Sequence, residues 1–266
     1  MKPLVTDALW ERVEPLLPSL PTRRFRFPGR KPLCRRKVLT GILFVLKTGI
    51  AWDELPAELG FGCGKTCRNY LRACHEAGVW RELHAVLLAE LNGADQVDWS
   101  RALVDASFAK APEGGEDTGP NPTDRRKLGS KHHVLTDAKG VPLAAVTTAA
   151  NVNEVTQVER VLDAVPPVGG KPGPARRKPE RLQGDRGFDS QPQRQRLRER
   201  GITPLLGAKR TAHGSGLGVF RWFVERTIAW LHAKGRLRRR LDRQTDTHDA
   251  FLQLACALIC LRLVET

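Results

Sequence analysis

The sequence predicts an α/β chain in two parts. Residues 1–92 form a mostly helical segment, residues 93–99 a linker, and residues 100–266 a mixed α/β domain. Two changes of pattern predict it. Apolar residues recur at helical spacing in short successive stretches up to residue 92. From residue 100 the chain switches to short apolar runs bounded by Gly, Pro and Asp, with helical stretches between the later runs. A third observation concerns chemistry: Asp105 and Asp185 each close a strand-like run, and Glu225 sits inside an amphipathic helical stretch.

At 266 residues the chain has room for one large domain or two ordinary ones, and its 41% hydrophobic content supplies a core. The net charge of +15 favours a polyanionic partner, nucleic acid above all. Charge alone also suits a ribosomal or merely soluble basic protein. No run of 18 apolar residues is uninterrupted, so no membrane span is expected. No secretory signal opens the chain, and a cytosolic, nucleoid-associated protein is expected. Six cysteines include Cys63, Cys67 and Cys74 followed by His75, but no second paired cluster completes a zinc site. They are read as small buried thiols in a reducing compartment.

Thr6 caps a first helix that aligns Leu9, Val13, Leu16 and Leu17 on one face and stops at Pro18. Residues 21–37 read as a cationic loop that includes Arg30 and Lys31. Helical spacing resumes over 38–47 through Val38, Ile42, Val45 and Leu46. A turn and short helix at 49–56 lead to a helix over 65–77 ended by Gly78, whose exposed side carries Lys65, Arg68, Asn69 and Arg72. This succession fits a helix-turn-helix whose second helix enters the major groove of DNA. A plain helical bundle with a solvated basic face is the alternative. One further helix covers 79–92.

Residues 102–107 read as a strand, 110–127 as a mobile loop, and 131–136 with 141–148 as strands joined by a turn at 137–140. A helix over 153–165, a loop over 166–179, a strand over 180–185, a helix over 190–200 and a strand over 202–206 follow. A Gly-rich basic stretch at 207–219 contains Lys209 and Arg210; the helix bearing Glu225 spans 221–234, and an apolar helix spans 248–264. Three strands, a helix, a strand, a helix, a strand and helices is the element order of an RNase H-like domain, a mixed sheet flanked by helices.

The chemistry rests on the three acids. Each alone has an ordinary explanation: an Asp after a strand is often a turn former, and a helical Glu is usually solvated or paired. Glu225 is flanked by Phe223, Val224, Ile228 and Trp230, so its carboxylate is expected to rise in pKa unless cations hold it ionised. Three converging carboxylates repel unless cations occupy the site. An all-oxygen donor set points to Mg2+ or Mn2+, two ions per site, ~3.5–4 Å apart in a phosphoryl-transfer centre. Arg221, Arg226 and Lys234, with Arg236, Arg238, Arg239 and Arg240 behind them, are expected to grip phosphates. Trp222 and Trp230 are candidates for stacking on an unpaired base, with a core role the stronger alternative for Trp230, which lies on the apolar face. His132 and His133 receive no role.

On these residues the chain resembles bacterial insertion-sequence transposases of the DDE superfamily, close to the insertion-sequence-five-like group. The resemblance runs through residues 9–18, 41–56 and 76–80, and through three blocks around Leu103-Val-Asp105, Gly184-Asp-Arg-Gly-Phe-Asp-Ser190 and Arg221-Trp-Phe-Val-Glu225. It implies that Asp105, Asp185 and Glu225 form the catalytic triad. It also implies Mg2+ dependence, double-stranded transposon-end and target DNA as partners, and a homodimer that pairs two transposon ends. The family's catalytic helix carries Tyr, Arg, Glu and Lys in order. Here Arg221 and Glu225 match, while Gly218 and His232 stand at the Tyr and Lys positions. The gap between Asp185 and Glu225 leaves no room for a large inserted domain. Two alternatives stay open: a structure-selective nuclease of the same fold, and a non-catalytic, transposase-derived DNA-binding protein.

Overall fold

The computed structural model describes residues 3–19, 26, 31–207 and 218–266. Helix α1 (Asp7–Val13) starts where Thr6 Oγ1 accepts the Leu9 amide at 3.2 Å, and a turn of 3-10 helix prolongs it through Leu16. Helix α2 (Arg35–Thr48) begins three residues earlier than the spacing predicts, so Arg35, Arg36 and Lys37 are helical. Arg36 is tied to Asp7 at 2.6 Å, and that anchor favours the early start. Helices α3 (Gly64–Glu76) and α4 (Val79–Gly93) follow. Gly64 is obligatory, because a Cβ there would lie 1.8 Å from the Trp52 carbonyl oxygen.

The sheet comprises β1 (Ala102–Lys110), β2 (Gly119–Pro120), β3 (Leu128–Asp137), β4 (Pro142–Ala149), β5 (Arg181–Gly184) and β6 (Thr203–Leu206). β3 lies antiparallel between β1 and β4, while β5 and β6 continue parallel beyond β1. Three antiparallel strands followed by two parallel ones is the RNase H-like arrangement expected. The stretch expected as a mobile loop at 110–127 instead carries β2, paired to β3, and a turn built on buried Asn121, whose Oδ1 accepts from the Thr123 amide and hydroxyl. Helices α5 (Val158–Asp163) and α6 (Gln191–Glu199) flank the sheet. Helix α7 (Gly218–His232) packs on β1 and β3, then α8 (Gly235–Arg238) and α9 (Thr245–Val264) close the chain.

Helix α9 packs on β4 on one side and on α4 and α3 on the other. One apolar core therefore runs from Leu9, Ile42 and Leu83 through Phe251 and Leu254 to Val134 and Leu143. Each such buried side chain contributes about 1.5–3 kcal/mol relative to exposure. Polar ties cross the same seam: Trp52 Nε1 donates to Asp242 Oδ1 at 3.0 Å, and His84 Nε2 lies 2.8 Å from the Pro142 carbonyl oxygen. By length and composition α9 could cross a membrane, but 67% of its apolar window is buried in this fold.

The cysteines divide. Cys67, Cys74, Cys256 and Cys260 are buried as expected, and burial pushes Cys67 and Cys74 up to about 11. Cys34 and Cys63 are exposed, because one precedes the first turn of α2 and the other that of α3.

Candidate active site

Parallel pairing builds the first half of the site. Val104 on β1 is in register with Gly184 on β5, so Asp105 and Asp185 are the next residues along neighbouring strands. Their backbones are about 4.8 Å apart at that spacing. Asp105 Oδ1 accepts from the Ala106 amide at 2.8 Å. Asp185 leaves the sheet as the cap of a single 3-10 turn, its Oδ1 accepting from the Gly187 amide at 2.8 Å. Gly187 has no space for a side chain, since a Cβ would meet Glu154 Oε2 at 2.5 Å and Asp185 Oδ1 at 3.0 Å. Glu154, which the sequence did not single out, is held there by buried Lys131 at 3.1 Å.

Helix α7 supplies the second half. It lies across β1 and β3 and carries Glu225, whose Oε1 pairs with Arg221 Nε at 2.9 Å one turn earlier. Glu225 was expected among apolar neighbours; its side chain is instead 54% exposed, because Val224 and Thr227 face inward in its place. The carboxyl withdrawn from solvent is half-buried Asp105, pushed up to about 6. Burial is the main cause, Asp185 and Glu225 add to it, and the Ala106 amide and Arg221 oppose it. Those influences mark Asp105, Asp185, Glu225 and Arg221 as one electrostatic group.

The donor chemistry suits hard divalent cations. Each acid has one carboxylate oxygen engaged by its own chain, and its second oxygen has no hydrogen bond among the described residues. Mutual repulsion at Asp105 is what cations would relieve. No three His, Cys, Asp or Glu side chains among the described residues converge closely enough to share a single ion.

The description "Putative transposase of IS4/5 family" matches residues 5–84, and "Transposase DDE domain" matches residues 100–214. The chain is 56% identical over 174 residues to the "Putative transposase for insertion sequence element IS402" of Burkholderia cepacia, covering 65% of this chain and 81% of that protein. The chain belongs to the DDE transposases of the IS4/5 family. A second relative from Burkholderia cepacia, the "Insertion element IS402 uncharacterized 16.2 kDa protein", is 53% identical over 121 residues, 46% of this chain and 82% of that one. Among solved structures, the Mos1 mariner paired end complex with Mn is 10% identical, covering 89% of this chain and 81% of that chain, with a TM-score of 0.30. The Mos1 strand transfer complex is 11% identical over 90% and 81%, with a TM-score of 0.26. Superposition at that level carries no argument. As a DDE transposase the protein uses a divalent metal.

In this transposase the expected phosphate-gripping residues meet different fates. Lys65, Arg68 and Asn69 are exposed on α3, and Lys31 is exposed before α2. Lys65 and Arg68 line a cleft of about 740 Å³ together with Trp52, Asp53, Glu113 and Arg243. Arg72 is half-buried, 3.6 Å from Glu76. Arg30, Lys209 and Arg210 lie outside the described residues. Lys234 is half-buried, its pKa lowered by burial and by Lys47 and Arg262.

Three expectations change. Arg226 is drawn into the fold: its guanidinium lies over the Trp222 and Trp230 rings at 4.6 and 4.7 Å and donates to the Lys139 carbonyl at 2.5 Å. Arg236 is 1% exposed and grips Asp242 with two hydrogen bonds of 2.9 Å. Arg240 is fully buried and donates to Ser130 Oγ and the Asp242 carbonyl oxygen, each at 2.8 Å. Trp222 remains 49% exposed and Trp230 is half-buried. Sequence reasoning passed over Ser107, whose Oγ lies 3.1 Å from His232 Nε2, although its place two residues after Asp105 on one strand face was a usable signal.

Proposed function

We propose that this transposase binds the terminal inverted repeats of its insertion sequence, cleaves DNA at the element's ends, and joins the freed 3′-hydroxyl to target DNA. It works in the cytosol, on nucleoid DNA, as a homodimer that brings two ends together. What supports the reading is the electrostatic grouping of Asp105 on β1 with Asp185 after β5 and Glu225 on α7 in a DDE family member.

Asp105, Asp185 and Glu225 would hold the divalent metal. Two Mg2+ or Mn2+ ions supply charge neutralisation on the scissile phosphate and acidify the attacking water or 3′-hydroxyl. The chain's own residues do the rest. Arg221 keeps the Glu225 carboxylate oriented before metal and DNA arrive. Residues 1–92 bind the end, with Lys65, Arg68, Asn69 and Arg72 of α3 against it and Lys31 and Arg30 reaching neighbouring phosphates. Lys209, Arg210 and Lys234 hold phosphates beside the cleaved strand.

The test uses duplex DNA carrying the element's own end, with Mg2+ or Mn2+, and compares the native protein with Glu225→Gln. End-specific nicking and strand joining are expected, both lost in the variant and both lost on chelation. Cleavage without joining and without end preference would replace the reading with a structure-selective nuclease. Binding without cleavage by either protein would leave a DNA-binding protein only.

A further inference from the structure

Asp105 and Ser107 lie two residues apart and so face the same side of β1. Glu225 and His232 lie seven residues apart, about two full turns, and so share one side of α7. The two acids and the Ser107–His232 pair are therefore consecutive rungs between the same strand and the same helix. The lower rung is closed by the 3.1 Å contact of Ser107 Oγ with His232 Nε2. The upper rung sets Asp105 against Glu225, which repel, with Arg221 paired to Glu225.

His232 is also wedged from behind. In the β1–β3 register His132 stands opposite Ser107, and its ring meets the His232 ring edge-on at 6.1 Å and 71°. His132 in turn stacks on His248 of α9 at 5.0 Å, with Nε2 atoms 2.7 Å apart. Burial lowers the basicity of His132, His248 and His232, with Arg240 acting on the first two and Arg238 on the third. The imidazoles are thus a neutral polar column running from α9 through β3 to the β1–α7 contact. A lysine at position 232 would put an ammonium against that column and beside Arg238.

We propose that His232, hydrogen-bonded to Ser107, is a positioning residue that sets the distance of Glu225 from Asp105 by bracing α7 against β1, and is not a DNA contact. The brace gives the repelling acids a fixed separation at which they would hold divalent cations. This inference rests on the reading of Asp105 and Glu225 as joint metal ligands.

The experiment compares the native protein with Ser107→Ala, His232→Ala, the double variant and His232→Gln, whose amide reaches the place of Nε2. Three quantities are read: Mn2+ affinity without DNA, affinity for end DNA, and cleavage rate at saturating DNA. Each single variant is expected to weaken Mn2+ binding about tenfold, the scale of outer-shell effects on metal sites. Cleavage should slow by at least a similar factor, since a displacement of ~1 Å can cost about a hundredfold. The double variant should lose no more than either single one, His232→Gln should recover most of the loss, and DNA affinity should stay unchanged. Losses that multiply in the double variant would overturn the brace. So would lower DNA affinity with unchanged Mn2+ binding, which makes His232 a phosphate contact. Should the native protein cleave nothing, the proposed function fails, while the coupling in Mn2+ affinity still decides the brace.

Discussion

Helix α3 and the stretch from Arg236 to Arg240 are both rich in cations, and they use them in opposite ways. On α3, Lys65 and Arg68 stand in solvent with Cys67, Leu71 and Cys74 buried behind them. After α7, Arg236 and Arg240 are among the most deeply buried side chains, and only Arg238 and Arg239 face outward. Arg236 also lies over the Trp52 ring at 5.6 Å, so it joins the N-terminal helices to the C-terminal ones. A run of arginines is thus no measure of DNA-facing charge. What separates the two regions is partners: α3 offers few acceptors, whereas Asp242 and the carbonyl oxygens of 242 and 243 satisfy the buried guanidinium groups.

The largest break in that comparison should come from Arg236→Ala. It leaves Asp242 buried without its partner, and losing one member of a buried pair costs about 3–5 kcal/mol. Urea unfolding at neutral pH should report a loss of that size, and an unchanged midpoint would place Arg236 with the exposed cations.

Acid should act on the interior next. His84, His132 and His133 are depressed by burial to about 4, 3 and 3, and His248 lies well below its usual value. The unfolded chain takes up those protons as pH falls below about 6.5, so the stability these groups supply is complete above that pH and is lost on the way down to 4 and 3. Asp105 and Asp137, raised to about 6, work the other way between about 6 and 4, and Asp249, also raised, acts in the same direction. His232 is lowered as well, so five depressed imidazoles stand against three raised carboxyls. The metal-free protein should therefore lose stability as pH falls from about 6 to 5. A flat or rising stability over that interval would contradict the neutral imidazole column.

The smallest effect on folding, and a clear one on binding, is expected from Lys65→Gln with Arg68→Gln. Stability should change by less than ~0.5 kcal/mol, as for ordinary surface substitutions. If both side chains touch phosphates, the slope of log affinity against log salt should fall by about 1.8. An unchanged slope would remove these two side chains from the DNA interface.

Much of this was legible beforehand. Strands and helices announced themselves because alternation and helical spacing are local patterns, and Asp105 and Asp185 stood out because each ends an apolar run. Parallel pairing of β1 with β5 then made them neighbours. The rest depended on contacts distant in sequence. Nothing near Arg236 or Arg240 signals burial until Asp242, Ser130 and Trp52 are brought to them. Glu225 was read as buried because helical neighbours alone do not tell which side of α7 meets the sheet. His132 and His248 are 116 residues apart, a pairing that no spacing rule contains.

Helix α9 has one more consequence, for the order of synthesis. It follows every other described element, yet α3, α4 and β4 all pack against it. A ribosome that has just made the strands carrying Asp105 and Asp185 has a chain whose Leu83, Leu87 and Leu143 still lack the partner that covers them. A product that stops short of α9 therefore leaves the apolar faces of α3, α4 and β4 uncovered.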